Sequence, residues 1–271
     1  MIMPKKELIM IVLSVLALFF ILTSFATPVF AEKYEEDTIA IGNISDGTNT
    51  ILYVRPTNFA YDFIVIWEDP EGLDILSHPW TGYNYGIYSR VIYRLAYHEH
   101  IRVTGVVRNN RDNIFLRLTD GNYVYSKDVA FDFEKNGQLM ADYHANHKGG
   151  YYSKFRAMCG EVDGVMNTRK LDPSSKNIPY NVYYKSENRV DIRTAEDIGN
   201  MLFGYVARKI GMSSIIAKLG NAYHNITDDD GDNNKGNNNS ATINSCLNSW
   251  CDDPKDVSCI NEGISYYNRN K

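Results

Sequence analysis

The order of hydrophobic and polar residues divides the chain into a β-rich first part and a more helical second part. In residues 101–107, and again in residues 114–118, apolar and polar side chains alternate, which is typical of strands with one buried face. Asp120 and Gly121 follow the second segment, and this dipeptide supplies the positive φ angle that a tight hairpin needs. The pattern therefore predicts β-structure from about residue 48 to residue 133.

A helix is predicted from Asp197 to a stop at Gly211. Thr194 stands three residues before Asp197, so hydroxyl and carboxylate can cap the start of the helix reciprocally. Apolar residues then recur at the spacing of one buried helix face, namely Ile198, Met201, Leu202 and Tyr205. The helix also contains two glycines, each costing roughly 1 kcal/mol relative to alanine. Their presence indicates that another element approaches closely.

A neighbouring face of the same helix carries polar residues and one of these glycines, in the order Asp197, Asn200, Gly204 and Arg208. In a functional interpretation, the carboxylate, the amide and the guanidinium form a row that binds substrate. In the alternative interpretation, the glycine lets a second helix pack closely and Asp197 is only a cap. The spacing by itself favours the alternative.

Three pieces of the second part resemble the bacterial polymorphic toxin type 44 domain. Residues 197–208 read Asp-Ile-Gly-Asn-Met-Leu-Phe-Gly-Tyr-Val-Ala-Arg, residues 219–223 read Leu-Gly-Asn-Ala-Tyr, and residues 252–256 read Asp-Asp-Pro-Lys-Asp. The family has the same order of a glycine-containing helix, a second helix, a variable insert and a closing helix. The resemblance covers roughly residues 150–268 and implies a secreted toxin with a predicted ribonuclease activity.

Two departures from the family pattern bear on that activity. Asn167 stands where the family usually carries aspartate, and Leu202 stands at a position that is frequently histidine. They leave the activity open, though not the fold. Because the helix motif contains no histidine, His224 at the end of the second predicted helix is the nearest candidate proton carrier.

The β-rich part resembles the bacterial Src-homology-3-like domain. Residues 103–109 read Val-Thr-Gly-Val-Val-Arg-Asn, residues 113–118 read Asn-Ile-Phe-Leu-Arg-Leu, and residues 121–129 read Gly-Asn-Tyr-Val-Tyr-Ser-Lys-Asp-Val. Phe115 stands where the family usually has tryptophan. The resemblance implies a small β-barrel that binds cell-wall peptide or acts as a spacer.

The two resemblances together imply an α+β fold in two parts. The expected parts are a small N-terminal β-barrel over residues 40–133, a linker over residues 134–150, and a mainly α-helical toxin domain over residues 151–271. The linker is expected to form a helix with exposed histidines.

Aromatic residues are concentrated in residues 57–88, which we interpret as a long loop of the barrel. Exposed aromatic rings stack on sugars or peptides at a low entropy cost. The candidate wall-binding residues are Trp67, Trp80 and Tyr83. In the alternative interpretation, these rings only cover the open end of the barrel.

The amino terminus predicts export. Lys5 and Lys6 precede a largely apolar run of fifteen residues, 8–22, and a small-residue cleavage site ends at Ala31. We therefore expect a signal peptide over residues 1–31 and a secreted protein, with the cell wall as a further location and no membrane insertion after cleavage. The alternative is an uncleaved anchor, although the run is short for a membrane span.

Cysteine content is consistent with export. The four cysteines are Cys159, Cys246, Cys251 and Cys259. An even number in an exported protein favours disulfides, here with three pairings to choose from. A zinc site is disfavoured because no Cys-x-x-Cys pair occurs.

The formal net charge of −5 argues against nucleic-acid binding by the whole surface. The charge is unevenly distributed, since residues 148–193 hold nine Lys and Arg against five Asp and Glu, whereas residues 228–256 hold two Lys against seven Asp. The basic segment could bind phosphate beside an acidic catalytic edge, with Arg169, Lys170 and Lys185 as substrate-binding residues. Two solvated faces that attract each other are an equal alternative.

Ribonuclease chemistry needs a base for the 2′-hydroxyl, an acid for the leaving oxygen and a cation for the phosphorane charge. Asp197 or His224 would serve as base or acid, Arg208 as the cation, and Asn200 would orient the substrate. Asp253 and Asp256 would complete the site or hold a divalent metal, and no other cofactor is expected. The expected partners are RNA, an immunity protein and peptidoglycan.

Two rival functions remain open at this stage. In one, the protein is an extracellular binding or structural protein whose toxin-like part has lost catalysis, as Asn167 and Leu202 suggest. In the other, it is a cell-wall hydrolase, although no hydrolase Cys/His signature is present.

Overall fold

A computed structural model describes residues 37–43, 49–84, 87–109, 113–146, 168–171, 178–215, 217 and 254–271. The strands are β1 (Asp37–Asn43), β2 (Asn49–Val65), β3 (Leu73–Leu76), β4 (Tyr83–Asn84), β5 (Ile87–Tyr88), β6 (Val91–Leu95), β7 (His100–Arg108), β8 (Ile114–Leu118), β9 (Tyr123–Tyr125), β10 (Val129–Asp132), β11 (Pro179–Tyr184) and β12 (Arg189–Thr194). The α-helices are α1 (Phe133–Asn146), α2 (Ala195–Lys209) and α3 (Pro254–Arg269). Short 3₁₀ helices cover Ser126–Asp128, Thr168–Leu171 and Lys185–Glu187.

Ten of these strands form one mixed sheet, in the order β12-β11-β10-β2-β7-β8-β9-β3-β6, with β1 paired to β2. Most neighbours are antiparallel, but β10 and β11 are parallel, with Asp132 opposite Tyr183. The order begins at β12 and ends at β6, so the sheet does not close on itself.

This sheet contradicts the predicted fold class. We expected a small barrel over the first part of the chain and a mainly α-helical domain after it. Instead, β11 and β12, from the predicted helical part, continue the sheet that β2, β7 and β10 build from the predicted barrel. The reason is the parallel β10–β11 pair, which joins the two parts by backbone hydrogen bonds. All described residues belong to one compact unit, Glu36–Lys271.

The helices pack on one face of the sheet. Along β2, Phe63 and Val65 belong to the main core cluster, which also contains Leu202 of α2 and Ile264 of α3. Ile64, the residue between them, points to the other face and packs in a separate cluster with Ala130 and Tyr183. This alternation is the expected two-residue period of a strand, and it buries the helices against one side of the sheet.

Several local predictions are confirmed. The alternating segments form β7 and β8, and Gly121 has a φ of 85° in the turn between β8 and β9. Gly211, just after α2, has a φ of 88°, as expected for a residue that ends a helix. The expected closing helix is α3, and Pro254 is its first residue, a position where the N–H that proline lacks would have no partner inside the helix.

The predicted aromatic loop over residues 57–88 is wrong, because β2 continues to Val65 and β3 follows it. A shift of the β2–β7 register between Pro56 and Tyr61 lets the strand continue past the proline. Residues 134–146 of the predicted linker lie in helix α1, and His144 there is fully buried rather than exposed, whereas His147 lies outside the described residues.

The remaining expectations about processing and boundaries stay predictions. The signal peptide lies outside the described residues. The insert expected between the second and the closing helix of the toxin-like part also lies outside them, as do three of the four cysteines. None of the helices in the described ranges is long and apolar enough to cross a membrane.

Candidate functional site

The first turn of α2 holds Asp197 in a fixed position. The Asp197 backbone N–H donates to the Thr194 hydroxyl over 3.1 Å, and the Thr194 N–H donates to Asp197 Oδ2 over 3.3 Å. This is the reciprocal capping box that the sequence predicts. The predicted buried face is also confirmed, because Ile198, Met201, Leu202 and Tyr205 are all buried.

The other carboxylate oxygen of Asp197 faces helix α3. The Lys255 ammonium group lies 2.8 Å from Asp197 Oδ1, and the Cys259 thiol donates to the same oxygen over 3.6 Å. Burial alone would raise the pKa of Asp197, but the bonds from Lys255 and Thr194 outweigh it, so this pKa lies below its usual value. The same contact raises the pKa of Lys255. Asp197 is therefore a permanently charged, anchored carboxylate at neutral pH.

A second pair lies beside the first. The amide of Asn200 donates to Asp256 Oδ1 over 2.7 Å. Residues 197 and 200 are one turn apart on α2, and residues 255 and 256 are neighbours in the first turn of α3. The result is a cluster of four polar side chains, Asp197, Asn200, Lys255 and Asp256, which we call the α2–α3 cluster.

The two helices run in roughly the same direction. Contacts begin with Asp197 and Lys255 at one end and finish with Arg208 and Asn268 at the other. Both N-terminal ends therefore lie at the α2–α3 cluster, where the helix dipoles give a positive potential that the carboxylates of Asp197 and Asp256 partly offset. Such an end attracts anions, including phosphate.

Glycines make this close packing of the helices possible. A Cβ atom on Gly204 would overlap the carbonyl oxygen of Ile260, and one on Gly263 would overlap the carbonyl oxygen of Met201. The expectation that another element approaches closely at Gly204 is confirmed. Gly204 thus serves packing rather than substrate binding.

Arg208 does not join the cluster. Its guanidinium donates to the carbonyl of Met212 and, over 3.5 Å, to Asn268. Arg208 is eleven positions along the helix from Asp197, a rise of about 16 Å. One phosphate group cannot contact both side chains, so the predicted row is divided, and Arg208 stabilises the C-terminal end of α2.

Other predicted site residues are distributed over the molecule. His224 and Asp253 lie outside the described residues, and for Arg169 and Lys170 only the backbone is described. Lys185 is exposed at the end of β11 and lines a separate cleft. The helical segment that would carry His224 is described only at its start, so its predicted role in the cluster stays a prediction.

The predicted wall-binding residues differ in exposure. Trp67 is 45% exposed, whereas Trp80 is 2% exposed and stacks on His78 in a core cluster with Phe115. The side chain of Tyr83 is not described. Trp80 therefore packs in the core, and because the sheet does not close into a barrel, there is no open end for it to cover.

Sequence reasoning missed Lys255 and Arg193. Arg193 of β12 donates to Glu262 of α3 over 2.6 Å and lies 3.5 Å from Asp191. Both cations are visible in the sequence, but their contacts with Asp197 and Glu262 each join residues more than 55 positions apart. Neither Glu262 nor Asp191 belongs to the acidic segment 228–256, so this pairing does not decide between phosphate binding and two attracting faces.

Comparison with known proteins gives no identification, since no family model, no curated protein and no solved structure matches the chain. Among the described residues, no group of three or more His, Cys, Asp or Glu side chains could hold a metal ion.

Proposed function

We propose that the protein is an exported toxin that cleaves RNA, and that the α2–α3 cluster is its reaction site. One observation supports this most strongly. Two motif pieces more than 50 positions apart meet in paired contacts, Asp197 with Lys255 and Asn200 with Asp256. The cluster lies where the ends of two helices favour a phosphate group.

The pairing suggests a role for each side chain. Asp256 is half-buried and held by Asn200, which suits a carboxylate that accepts the proton of the 2′-hydroxyl. Lys255 is 56% exposed and held by Asp197, which suits a cation that offsets negative charge on the phosphorane. Asp197 and Asn200 are then positioning residues. His224 is the proposed acid for the leaving oxygen.

A second candidate function is favoured by the saturation of Asp197. Its carboxylate already accepts from the Thr194 N–H, Lys255 and Cys259, as a purely structural residue would. In this case the protein is an extracellular binding or structural protein without catalysis.

Expression of residues 32–271 in a bacterial cytoplasm tests the proposal. This length retains every described strand, whereas a fragment beginning at residue 135 would remove β10 from its parallel partner β11. We expect growth arrest and fragmented cellular RNA. Loss of one group that stabilises the transition state costs about 10²–10³ in rate, so Lys255→Gln and Asp256→Asn should each restore growth.

Matched controls separate chemistry from folding. Lys271→Gln and Asp142→Asn make the same chemical changes at exposed positions outside the cluster and should leave toxicity intact. Arg208→Lys should also leave toxicity intact, since Arg208 lies at the other end of α2. A folded wild-type protein that neither slows growth nor cleaves purified RNA would favour the second candidate instead.

A further inference from the structure

A cleft of about 270 Å³ lies at the end of the parallel strand pair. Strand β10 ends at Asp132 and β11 ends at Tyr184, so their carboxyl ends meet at one edge of the sheet. In open sheets, ligands commonly bind outside the carboxyl ends of parallel strands. The lining residues are His100, Asp132, Glu134, Lys135, Gln138, Lys185, Tyr205 and Lys209. The α2–α3 cluster contributes none of them.

Three lysines bring positive charge to this cleft from three different elements. Lys135 comes from the first turn of α1, Lys185 from the 3₁₀ helix after β11, and Lys209 from the end of α2. The Lys209 ammonium group lies 3.3 Å from the Tyr205 hydroxyl. Within the described ranges, neither Lys135 nor Lys185 has a carboxylate within 4.0 Å of its ammonium group.

The two carboxylates of the cleft already have partners. Glu134 accepts from the Ser186 N–H over 2.6 Å and from the Tyr266 hydroxyl. Asp132 is buried, accepts from the Lys135 N–H over 2.9 Å as the cap of α1, and lies 3.7 Å from Nδ1 of His100. Three ammonium groups against two carboxylates leave an excess of positive charge.

We propose that this cleft binds the phosphate monoester group of a small organic phosphate. A monoester dianion carries up to two negative charges and three terminal oxygens, which match three ammonium donors better than the single charge of a diester does. The volume lies just below the range of about 300–1,000 Å³ typical of small-molecule sites, so the ligand is small. The half-exposed His100, held beside Asp132, also lines the cleft. This site is independent of the proposed RNA cleavage.

Calorimetric titration of the full chain tests the proposal with four probes. The probes are inorganic phosphate, a nucleoside monophosphate, the same nucleoside without phosphate, and a dinucleotide whose only phosphate is the internal diester. We expect saturable binding of the nucleoside monophosphate and much weaker binding of the nucleoside and the dinucleotide. Inorganic phosphate that binds as tightly as the nucleoside monophosphate would support a site for the phosphate group alone.

Lysine variants then locate the binding. Lys135→Gln and Lys185→Gln each remove one charge-assisted hydrogen bond to the bound phosphate. Because both lysines are exposed, each change should weaken binding about five- to tenfold. Lys127→Gln changes an exposed lysine that does not line the cleft and should leave the affinity unchanged. Melting temperatures of the variants verify that each one is folded.

Three results would overturn the proposal. The first is a lack of saturation with both inorganic phosphate and the nucleoside monophosphate at millimolar concentrations. The second is equal weakening by Lys127→Gln, which would show only a general charge effect. The third is a dinucleotide that binds as tightly as the nucleoside monophosphate. Because the RNA-cleavage test changes Lys255 and Asp256, failure here leaves that test unaffected.

Discussion

The ammonium group of Lys255 lies 2.8 Å from Oδ1 of Asp197, so the first turn of α3 fixes the first turn of α2. These residues are far apart in sequence, and their contact places the N-terminal ends of the two helices together. The same contact stabilises the charged form of Asp197 and lowers its pKa. It therefore connects the geometry of the candidate site to the stability of the fold.

This connection predicts a pH dependence of stability. Because the pKa of Asp197 is lower in the folded protein than in the unfolded chain, its contribution is complete above the unfolded value of about 3.9. The contribution is lost as the pH falls through the folded value. Between about pH 4 and pH 2, the wild-type protein should therefore lose more unfolding free energy than Asp197→Asn loses. We expect a difference of about 0.5–1 kcal/mol, since Lys255 is largely exposed. Urea unfolding at several pH values measures this.

Glu196→Gln is the control for the pH experiment. It removes a carboxylate of the same helical turn that lies outside the capping box. The pH profile of this variant should change less than that of Asp197→Asn, because Glu196 acts on Lys255 through its charge alone, whereas Asp197 also accepts a hydrogen bond from it. Parallel profiles for Asp197→Asn and the wild type would contradict the assigned role of the Lys255 contact.

The glycines between α2 and α3 predict large stability losses. Gly204→Ala and Gly263→Ala each place a methyl group against a backbone carbonyl of the other helix, which cannot move away as a flexible side chain could. Overpacking of this kind costs about 1–3 kcal/mol. Chemical unfolding measures the change. Ser258→Ala, at an exposed position of α3, should stay within about 0.5 kcal/mol of the wild type, and comparable losses in all three variants would refute close helix packing.

The two described tryptophan side chains should respond differently to replacement. Trp80 is almost fully buried, so Trp80→Ala should lower the unfolding free energy by about 3–5 kcal/mol. Trp67 is exposed, so Trp67→Ala should change it by no more than about 0.5 kcal/mol. Fluorescence-monitored unfolding measures both.

Peptidoglycan binding remains a prediction, and Trp67 is the candidate contact whose side chain is described as exposed. Sedimentation of the protein with purified peptidoglycan should weaken in Trp67→Ala without a change in melting temperature. Sedimentation that is equal in Trp67→Ala and the wild type would argue against this residue as a wall contact.

The Cys259 thiol should be unreactive in the folded protein. Burial, followed by the nearby charge of Asp197, raises the pKa of Cys259 to about 12. The thiolate, which is the reactive form, is then about one part in 10⁴ at pH 8. Alkylation followed by mass spectrometry should modify Cys259 only after unfolding.

A reductant distinguishes protection of Cys259 by burial from protection by a disulfide bond. Cys259 is a free thiol in the structure, so unfolding alone should expose it to the reagent. Modification that also requires a reductant would show that Cys259 forms one of the predicted disulfides. Rapid modification of the native protein would contradict the buried position.

Local patterns in the sequence determined much of the secondary structure. The alternation in residues 101–107 and 114–118 specified β7 and β8 because a strand presents successive side chains to opposite faces. Thr194 and Asp197 specified the start of α2 because the capping bonds join residues three positions apart. Gly211 ended the helix because it adopts a positive φ angle at little cost. Each of these signals involves residues only a few positions apart, so it can be recognised in the sequence itself.

The tertiary structure alone decided how these elements combine. The parallel pairing of β10 with β11 joins segments separated by nearly 50 positions, and no periodic pattern marks which strands become neighbours. For the same reason, the burial of Trp80, the contact of Lys255 with Asp197 and the gathering of three lysines in one cleft could not be predicted. Strand pairing and side-chain contacts depend on which distant surfaces meet when the chain buries its apolar area. The sequence thus determined several of the elements, and long-range packing determined the sheet and both candidate sites.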